Sequence, residues 1–219
     1  MSGGKLLIIG SGGHGRSVLG TALASGAYDE IEFATNVGNP DPVEEFRILD
    51  ERTLSFDEMR YGYSAVFVAI GDNAARLGKA RRLIEMGIEV PILVHPSASV
   101  SPFTEMGAGT LIGPNAVVNP FAKLGVGCIV NTGAVVEHDC VVADGVHLSP
   151  NAAIGGGTEL GEGAWLCIGS CTADHVSLPA WSVLAAGSSL VRSASKSGLY
   201  AGSPAVLKRA SGLLKGVNR

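Results

Sequence analysis

The sequence predicts a two-part fold, a small α/β unit built on a parallel sheet and, after it, a parallel β-helix. Two patterns carry this prediction: strands alternate with helices over residues 1–93, and residues 94–191 repeat every six positions. The charge shifts at the same place, from 22 charged residues in the first segment to 8 in the second. We therefore predict an α/β domain at 1–93, a β-helix domain at 94–191 and a basic C-terminal tail at 192–219.

The first segment has the pattern of a small Rossmann-like unit. In chain order we predict a buried strand, a glycine loop, a helix, two further strands and a second helix, at residues 5–9, 10–15, 16–25, 31–34, 65–70 and 73–86. Gly26 and Gly87 follow the two helices, where glycine accepts the left-handed conformation of a helix end. Strands that alternate with helices favour a parallel sheet with right-handed crossovers.

The second segment repeats with a period of six. Every sixth residue from Val94 to Leu190 is apolar at 16 of 17 positions, with Thr172 as the exception. A second series, from Ala98 to Ser188, holds only Ala, Ser, Thr, Cys or Val. One bulky and one small inward residue in each hexad are typical of a parallel β-helix, in which three hexads close a coil of 18 residues. Such repeats also serve as rigid spacers, so the period predicts the fold and leaves the activity open.

The composition excludes several classes of protein. With 46% hydrophobic residues the chain is not disordered, and its apolar runs are far shorter than the about 20 residues of a membrane span. Residues 1–9 are too short an apolar segment for a signal peptide, so we expect a cytoplasmic protein. The net charge of −4 disfavours nucleic acid as a partner. The four cysteines form no C-x-x-C pair, which indicates small packing residues in a reducing compartment.

The glycine loop raises the question of a dinucleotide cofactor. Residues 10–15 formally match G-x-G-x-x-G, in which glycine lets the backbone approach a pyrophosphate at a helix N-terminus. The acidic residue expected after the second strand is replaced by Thr35 and Asn36, and about 90 residues leave little room for a full NAD-binding sheet. These departures disfavour NAD. Alone, the loop is also compatible with simple helix capping.

Four segments together carry a family resemblance. They are Ile9–Gly15, Val68–Asn73, Val136–Asp139 within the hexads, and Gly202–Ala205. In this combination the chain resembles the bacterial sugar O-acyltransferases, the sialic acid O-acetyltransferase-like family of hexapeptide-repeat transferases, and most of all their UDP-4-amino-sugar and GDP-perosamine N-acetyltransferase members. The resemblance implies a left-handed β-helix, a homotrimer with active sites between subunits, acetyl-CoA as cosubstrate, a nucleotide-sugar substrate and no metal.

Acetyl transfer to an amine needs a base, and histidine suits that role because its pKa lies near 7. His138 is flanked by Glu137 and Asp139 in a segment with only seven acids and one base. A nearby carboxylate orients a histidine ring and raises its basicity. An outward histidine is otherwise an ordinary surface residue, and it is the resemblance that implies His138 as the general base and Asp139 as the orienting acid.

The resemblance also implies the residues that bind the two substrates. For acetyl-CoA they are His147, Ile168, Ala186 and Gly187, and the family more often has glycine in place of the alanine. For the nucleotide-sugar they are Gly12, Gly13, His14, Thr35, Asn36, Gly71 and Asn131. Some relatives carry Asp-Asp where this chain has Thr35-Asn36, so the sugar and the nucleotide stay open. His147 follows His138 by half a coil, so the two face different sides, and a site that uses both needs two subunits.

We therefore predict an acetyl-CoA-dependent N-acetyltransferase that acts on a nucleotide-linked amino sugar by direct transfer in a ternary complex. An O-acetyltransferase of sialic acid or of a polysaccharide precursor, and a non-catalytic sugar-nucleotide-binding scaffold, stay as alternatives. Trimeric carbonic anhydrases share the β-helix but need a close downstream histidine pair, which His175 lacks. Because the repeat segment offers the phosphates of CoA only Lys123, we expect Arg192 or Lys196 to contact them, a solvated helix end being the alternative.

Overall fold

The structure, a computed structural model, describes residues 3–38 and 40–210. The elements of the α/β unit are, in chain order, β1 (Gly4–Ile9), α1 (Gly13–Ser25), β2 (Tyr28–Thr35), β3 (Ile48–Asp50), a 3₁₀ turn (Glu51–Thr53), α2 (Phe56–Gly62), β4 (Ala65–Val68) and α3 (Asn73–Glu85). The strands form one parallel sheet in the order β3-β2-β1-β4. All four strands therefore end at the same edge of the sheet.

The α/β unit differs from the sequence prediction in the bounds of three elements and in two elements that were not predicted. Strand β2 is longer than predicted, Tyr28–Thr35 instead of 31–34, and β4 ends at Val68 instead of residue 70. Helix α1 begins at Gly13 and not after the glycine loop, because Gly12 is its N-cap residue. Strand β3 and helix α2 were not predicted, since three and seven residues are too few for a clear apolar period. The start of α2 does carry a sequence signal, a capping box in which Ser55 and Glu58 bond each other's backbone N–H.

The second part, the solenoid, consists of 17 two-residue strands. Strands β5 to β21 are Leu93–Val94, Ser99–Val100, Glu105–Met106, Leu111–Ile112, Val117–Val118, Lys123–Leu124, Ile129–Val130, Val135–Val136, Val141–Val142, His147–Leu148, Ala153–Ile154, Glu159–Leu160, Trp165–Leu166, Cys171–Thr172, Ser177–Leu178, Val183–Leu184 and Ser189–Leu190. The second residue of every strand is a member of the predicted six-residue series. The period therefore marks each strand correctly.

The strands stack into three faces of a triangular coil. Face 1 contains β5, β8, β11, β14, β17 and β20, face 2 contains β6, β9, β12, β15, β18 and β21, and face 3 contains β7, β10, β13, β16 and β19. Neighbours within a face are parallel and 18 residues apart. Equivalent residues of successive coils therefore form columns with a spacing of about 4.8 Å.

The small-residue series fills the interior between the faces. Ala116, Cys128, Ala134 and Cys140 are fully buried among the leucines and valines of neighbouring coils. Thr172, the one departure from the apolar series, has a polar reason: its hydroxyl accepts a hydrogen bond from the backbone N–H of Gly155 and lies 3.1 Å from that of Thr158. The hydrogen-bonding groups of this half-buried threonine are thus satisfied.

The chain continues past the last coil. Strands β22 (Gly198–Ala201) and β23 (Val206–Ala210) extend face 1, β22 parallel to β20 and β23 antiparallel to β22. Part of the predicted basic tail is therefore β-structure and not a helix end. Lys215 and Arg219 of that tail lie outside the described residues.

Helix α3 attaches the α/β unit to the corner where face 3 meets face 1. Arg76, only 1% exposed, donates from Nε to the carbonyl oxygen of Gly127 and from Nη2 to that of Gly145, both at 2.8 Å. Asn73 Nδ2 donates to the carbonyl oxygen of Gly163. Gly145 has a φ of 68°, and a Cβ on it would lie 3.1 Å from Leu77 of α3, so glycine permits both the turn and the close approach.

Two further features concern the chain as described. No helix in residues 3–38 and 40–210 is both long and apolar enough to cross a membrane. The four cysteines are free thiols, and burial raises the pKa of Cys128 to about 12 and that of Cys167 to about 11. The thiols of Cys128 and Cys167 are therefore poor nucleophiles, since the thiolate is the reactive form.

Candidate active site

A cavity of about 790 Å³ opens at the edge of the parallel sheet where the strands end. Six of the residues predicted to bind a nucleotide-sugar line it together, namely Gly12, Gly13, His14, Thr35, Asn36 and Gly71. The first turn of α1 has no side-chain cap and no acidic residue. Unsatisfied backbone N–H groups and the helix dipole favour an anionic group at such a helix start.

The same cavity has four charged lining residues that the sequence analysis missed. They are Arg16, Asp41, Glu51 and Lys79. Lys79 and Glu51 form an ion pair, although they are 28 residues apart in the chain. Only the packing of α3 beside the end of β3 brings these two together, so no sequence motif marks them.

His14 joins this cavity to the solenoid. Its ring centroid lies 6.4 Å from that of His147 on β14, and the His147 ring stacks on Trp165 at 6.0 Å. Asn131 Nδ2 lies 3.5 Å from His147 Nε2. His14 Nε2 is buried with no hydrogen-bond partner among the described residues. The structure thus brings together three predicted site residues from two parts of the chain, on face 1 beside the α/β unit.

Both of these histidines are held neutral. Burial, with the Arg76 cation as a second cause, lowers the pKa of His14 to about 4. Burial lowers the pKa of His147 to about 3, and Arg76 and His14 contribute to that shift. Burial also lowers the pKa of Arg76, to about 10, which leaves it charged at neutral pH. Neutral rings next to the cavity bind polar groups and are poor proton acceptors at neutral pH.

His138 and Asp139 lie elsewhere, at the corner where face 2 meets face 3. His138 Nδ1 lies 2.8 Å from Asp139 Oδ2, and both side chains are more than half exposed. A carboxylate can only accept, so Nδ1 carries the proton and Nε2 keeps its lone pair free. Hydrogen bonding to Asp139 is the largest cause that raises the pKa of His138. The pair is a solvent-facing base with a fixed tautomer.

Gly156 lies under the His138 ring, one coil further on. A Cβ on Gly156 would be 2.7 Å from Cε1 and 2.8 Å from Nε2 of His138. The backbone N–H of Gly156 donates to Asp174 Oδ1 at 3.0 Å, which fixes its turn. Gly156 was not among the predicted site residues. The Gly155-Gly-Gly157 run of the sequence is the signal that could have indicated it.

Ile168, Ala186 and Gly187 occupy a third position, the corner where face 1 meets face 2. The backbone N–H of Gly187 donates to the carbonyl oxygen of Ile168 at 3.0 Å, so the two turns stack. Ile168 is 56% exposed. This corner and the corner of His138 are at opposite ends of face 2, a separation of up to about 20 Å for a six-residue side. One chain therefore does not bring the predicted base and the predicted acetyl-CoA residues together.

The comparisons with known proteins agree with this geometry. Residues 5–83 match the PglD N-terminal domain family. The acetyltransferase domain of PglB from Neisseria gonorrhoeae is 33% identical, with a TM-score of 0.85 over 93% of this chain and 98% of that chain. GDP-perosamine N-acetyltransferase from Caulobacter crescentus, solved in complex with CoA and GDP-perosamine, is 33% identical, with a TM-score of 0.86 over 94% and 97%. The chain belongs to the hexapeptide-repeat nucleotide-amino-sugar acetyltransferases.

Membership of this acetyltransferase family confirms the predicted fold class. The small α/β unit followed by repeated parallel strands is consistent with a left-handed β-helix and matches these solved acetyltransferases over nearly their whole length. As a member of the family, the chain is a sugar N-acetyltransferase. Within residues 3–38 and 40–210, no three His, Cys, Asp or Glu side chains are grouped so that they could hold a metal ion.

Proposed function

We propose that this acetyltransferase transfers the acetyl group of acetyl-CoA to the amino group of a nucleotide-linked amino sugar, with His138 as the general base. The observation that carries the proposal is the exposed His138–Asp139 pair, which leaves Nε2 free to accept a proton. Two solved relatives support the choice of substrates, one in complex with CoA and GDP-perosamine and one in complex with acetyl coenzyme A.

The chemistry needs one proton acceptor and no covalent enzyme intermediate. The nitrogen of the sugar amine bonds to the thioester carbonyl carbon, and the carbon–sulfur bond breaks. His138 Nε2 takes the proton that the amine loses. The protonated ring then returns that proton to the leaving thiolate of CoA. Cys140, the cysteine nearest in sequence, is buried and donates to the carbonyl oxygen of Gly155, and burial raises the pKa of its thiol. Direct transfer in a ternary complex is therefore favoured over a cysteine-bound acetyl group.

The acceptor would bind in the cavity at the sheet edge. Its diphosphate is suited to the start of α1, beside Gly12, Gly13 and the guanidinium of Arg16. The sugar would point toward His14, whose buried Nε2 has hydrogen-bonding capacity to offer, and toward Asn131 and His147. We propose that Thr35, Asn36 and Gly71, which line this cavity, also contact the nucleotide-sugar.

Acetyl-CoA would lie along the solenoid with its thioester at His138. The position of Arg192 is three coils, 54 residues, beyond that of His138 along the chain, which corresponds to about 14 Å along the solenoid axis. The Ser193 hydroxyl accepts a hydrogen bond from the backbone N–H of Ser177, and the backbone N–H of Ala194 donates to the carbonyl oxygen of Ser177. This segment therefore packs on the His138 corner, where face 2 meets face 3. Arg192 is exposed there, where the pantetheine arm would place the phosphates of CoA. Lys196 is exposed four residues further on, toward the far end of face 3, since the neighbouring Ser197 Oγ donates to the carbonyl oxygen of Ala180.

The separation of the two corners of face 2 supports a homotrimer with shared sites. The corner of one subunit that carries Ile168, Ala186 and Gly187 would meet the His138 corner of its neighbour. Phe103 and Phe121 stack at 5.5 Å on the His138 corner and are 64% and 58% exposed. Exposed apolar surface of this kind is commonly covered by a subunit contact.

A complementation experiment tests the shared site. The variants His138→Ala and His147→Ala are each expected to lose most turnover. When equal amounts are coexpressed, random trimers should recover about a quarter of the wild-type sites, because one intact histidine comes from each neighbour. A mixture no more active than the two variants would contradict the shared site.

The acetyl transfer itself is tested with UDP-, GDP-, dTDP- and CMP-linked amino sugars and acetyl-CoA. We expect an alkali-stable amide product, and His138→Ala should retain less than about 1% of the turnover. An alkali-labile ester formed from hydroxyl acceptors would instead indicate an O-acetyltransferase. Near-normal turnover of His138→Ala with the true acceptor would contradict the role of the base.

A further inference from the structure

The hairpin of β22 and β23 forms the last layer of face 1. Strand β23 pairs with β22, and no other strand of residues 3–38 and 40–210 adjoins it. All five residues of β23 are exposed, including the apolar Val206 at 51% and Leu207 at 40%. Lys208 and Arg209 follow them in the same strand. This end of the solenoid therefore presents apolar and cationic side chains side by side, and none of them lines the cavity at the sheet edge.

The charge of the chain is divided unevenly. Residues 1–191 contain all 20 acids and 10 of the 16 lysines and arginines, which gives that segment a net charge of −10. Residues 192–219 contain the other six cations and no acid. Four of these cations, Arg192, Lys196, Lys208 and Arg209, belong to the described part of the chain, and all four are exposed. The hairpin end is thus cationic although the whole chain is acidic.

Screening by salt makes this local charge decisive for the approach of a large charged surface. At physiological ionic strength the Debye length is about 8 Å, so such a surface interacts mainly with the charges closest to it. Asp174, the last acid in the sequence, precedes β20 and lies more than two strand spacings, roughly 10 Å, from β23 along the solenoid axis. An anionic surface that approaches the hairpin therefore meets cations first, and most of the acidic remainder is screened.

The apolar side chains distinguish between two roles of these cations. Charged residues on an edge strand keep it from pairing with other chains, but that role needs no exposed Val206 or Leu207. Val191, which follows the last strand of face 2, is 48% exposed as well. Cations combined with exposed apolar side chains fit the interface of an anionic bilayer, where the cations meet headgroup phosphates and the apolar groups reach the acyl boundary.

We propose that the β22–β23 hairpin docks this enzyme on an anionic lipid surface. Lys208 and Arg209 would contact headgroup phosphates, and Val206 and Leu207 would enter the headgroup layer. Each cation near an anionic leaflet strengthens binding about fivefold, so a single hairpin binds weakly. Cyclic symmetry places the three hairpins of a trimer at the same end. This multiplication rests on the proposed function, whereas the docking itself does not.

Sedimentation with lipid vesicles tests the docking. In about 0.1 M NaCl the wild type should bind vesicles of equal parts phosphatidylglycerol and phosphatidylcholine, and about 1 M NaCl should release it. Vesicles of phosphatidylcholine alone should bind at least about twentyfold more weakly, and the double variant Lys208→Gln, Arg209→Gln should lose the same factor on the anionic vesicles. A wild type that binds both kinds of vesicle equally, or neither, would overturn the proposal.

The double variant Arg60→Gln, Lys123→Gln is the matched control. It removes the same number of exposed cations, but from α2 and from face 3. It should bind anionic vesicles like the wild type. Equal losses in the two double variants would show that net charge, and not the hairpin, determines binding, and would contradict the docking surface.

Chemical labelling of lysines in the wild-type protein gives a second test that needs no variant. Lys208 and Lys123 are both exposed. Anionic vesicles should remove most of the labelling of Lys208 and leave that of Lys123 unchanged, as measured by mass spectrometry. Protection of Lys208 by CoA and not by vesicles would overturn the lipid docking and would indicate a free phosphate ligand instead.

Acetyl transfer without vesicles separates this inference from the proposed function. Lys208→Gln, Arg209→Gln should keep the wild-type kcat and KM for acetyl-CoA, which also shows that the variant is folded. A wild type that transfers acetyl groups but ignores anionic vesicles would contradict the docking alone. A wild type that binds these vesicles but transfers no acetyl group would contradict the proposed function alone.

Discussion

Arg76 Nε lies 2.8 Å from the carbonyl oxygen of Gly127, so a helix of the α/β unit is bonded directly to a turn of the solenoid. The same guanidinium reaches the carbonyl oxygens of Gly145 and Ile70 and the side chain of Asn73. It is also a cause of the lowered pKa values of His14 and His147. One buried side chain thus joins the sheet-edge cavity to the solenoid and adds to the burial that lowers the pKa values of the two histidines beside it.

Arg76→Ala should lower the free energy of unfolding by about 3 kcal/mol, because it leaves buried carbonyl groups without donors. Arg81→Ala is the matched control. Arg81 lies on the same helix and bonds Asp144 and Glu162 of the solenoid, but its side chain is 44% exposed. We expect Arg81→Ala to lower the free energy of unfolding by less than about 1 kcal/mol. Urea denaturation compares the two variants, and equal losses would contradict the role assigned to Arg76.

Asp139→Asn should shift the pH profile of kcat. Asp139 raises the pKa of His138, and only the neutral ring accepts a proton, so activity falls as the pH drops through that raised pKa. Without the carboxylate the pKa falls and the acidic limb moves to lower pH. The maximal kcat should also fall, because the neutral amide oxygen of asparagine is a weaker acceptor for Nδ1–H than a carboxylate and orients the ring less firmly. An unmoved acidic limb, measured with saturating substrates, would argue that another group controls it.

Gly156→Ala should lower kcat about tenfold or more, with little change in stability. The added methyl group would take the space of the His138 ring, and this exposed ring can swing aside at low cost to the fold. A base displaced by about 1 Å can lose much of its rate contribution. The same change in a His138→Ala background should have almost no further effect on kcat. Additive losses would show that the two residues act independently.

Acid should destabilise this protein through His14 and His147. Their pKa values in the folded chain, about 4 and about 3, lie below the ordinary 6.5, so the unfolded chain binds more protons between these values. The stabilising contribution is complete above pH 6.5 and is lost as the pH falls toward 4. From pH 7.5 to pH 5 we expect a loss of up to about 2 kcal/mol for each histidine. Urea denaturation at both pH values measures the free energy of unfolding. Between pH 7.5 and pH 5, His14→Gln should lose less of this free energy than the wild type, and an equal loss would contradict this account.

The double variant Arg192→Ala, Lys196→Ala should raise KM for acetyl-CoA about tenfold and leave kcat near normal at saturation. Each cation would contribute a charge-assisted contact to a phosphate, far from the reacting carbon. Lys123→Ala is the control, because Lys123 pairs with Glu105 on face 3. An unchanged affinity for CoA would remove the proposed phosphate contact.

The solenoid could be predicted almost residue by residue from the sequence. Each coil repeats one local rule, so the period names the second residue of every strand from Val94 to Leu190. The α/β unit was less readable, because β3 and α2 are short and owe their structure to packing on longer neighbours. Of the candidate site, motifs indicated the glycine loop and His138, whereas Gly156 and Lys79 depend on neighbours that are distant along the chain.

The sequence by itself determined the repeat, the inward residues and the polar pair His138–Asp139, because all three depend on residues close together along the chain. Only the tertiary structure decided that His14 lies beside His147, that Arg76 joins the two parts of the molecule, and that His138 lies across face 2 from Ile168. Such contacts depend on how a helix docks on a corner and on which residues of a coil share a corner. Local propensity and periodicity carry no information on the first. The period of 18 residues already indicated that His138 and His147 face different sides, and the structure adds the corner or face on which each residue lies.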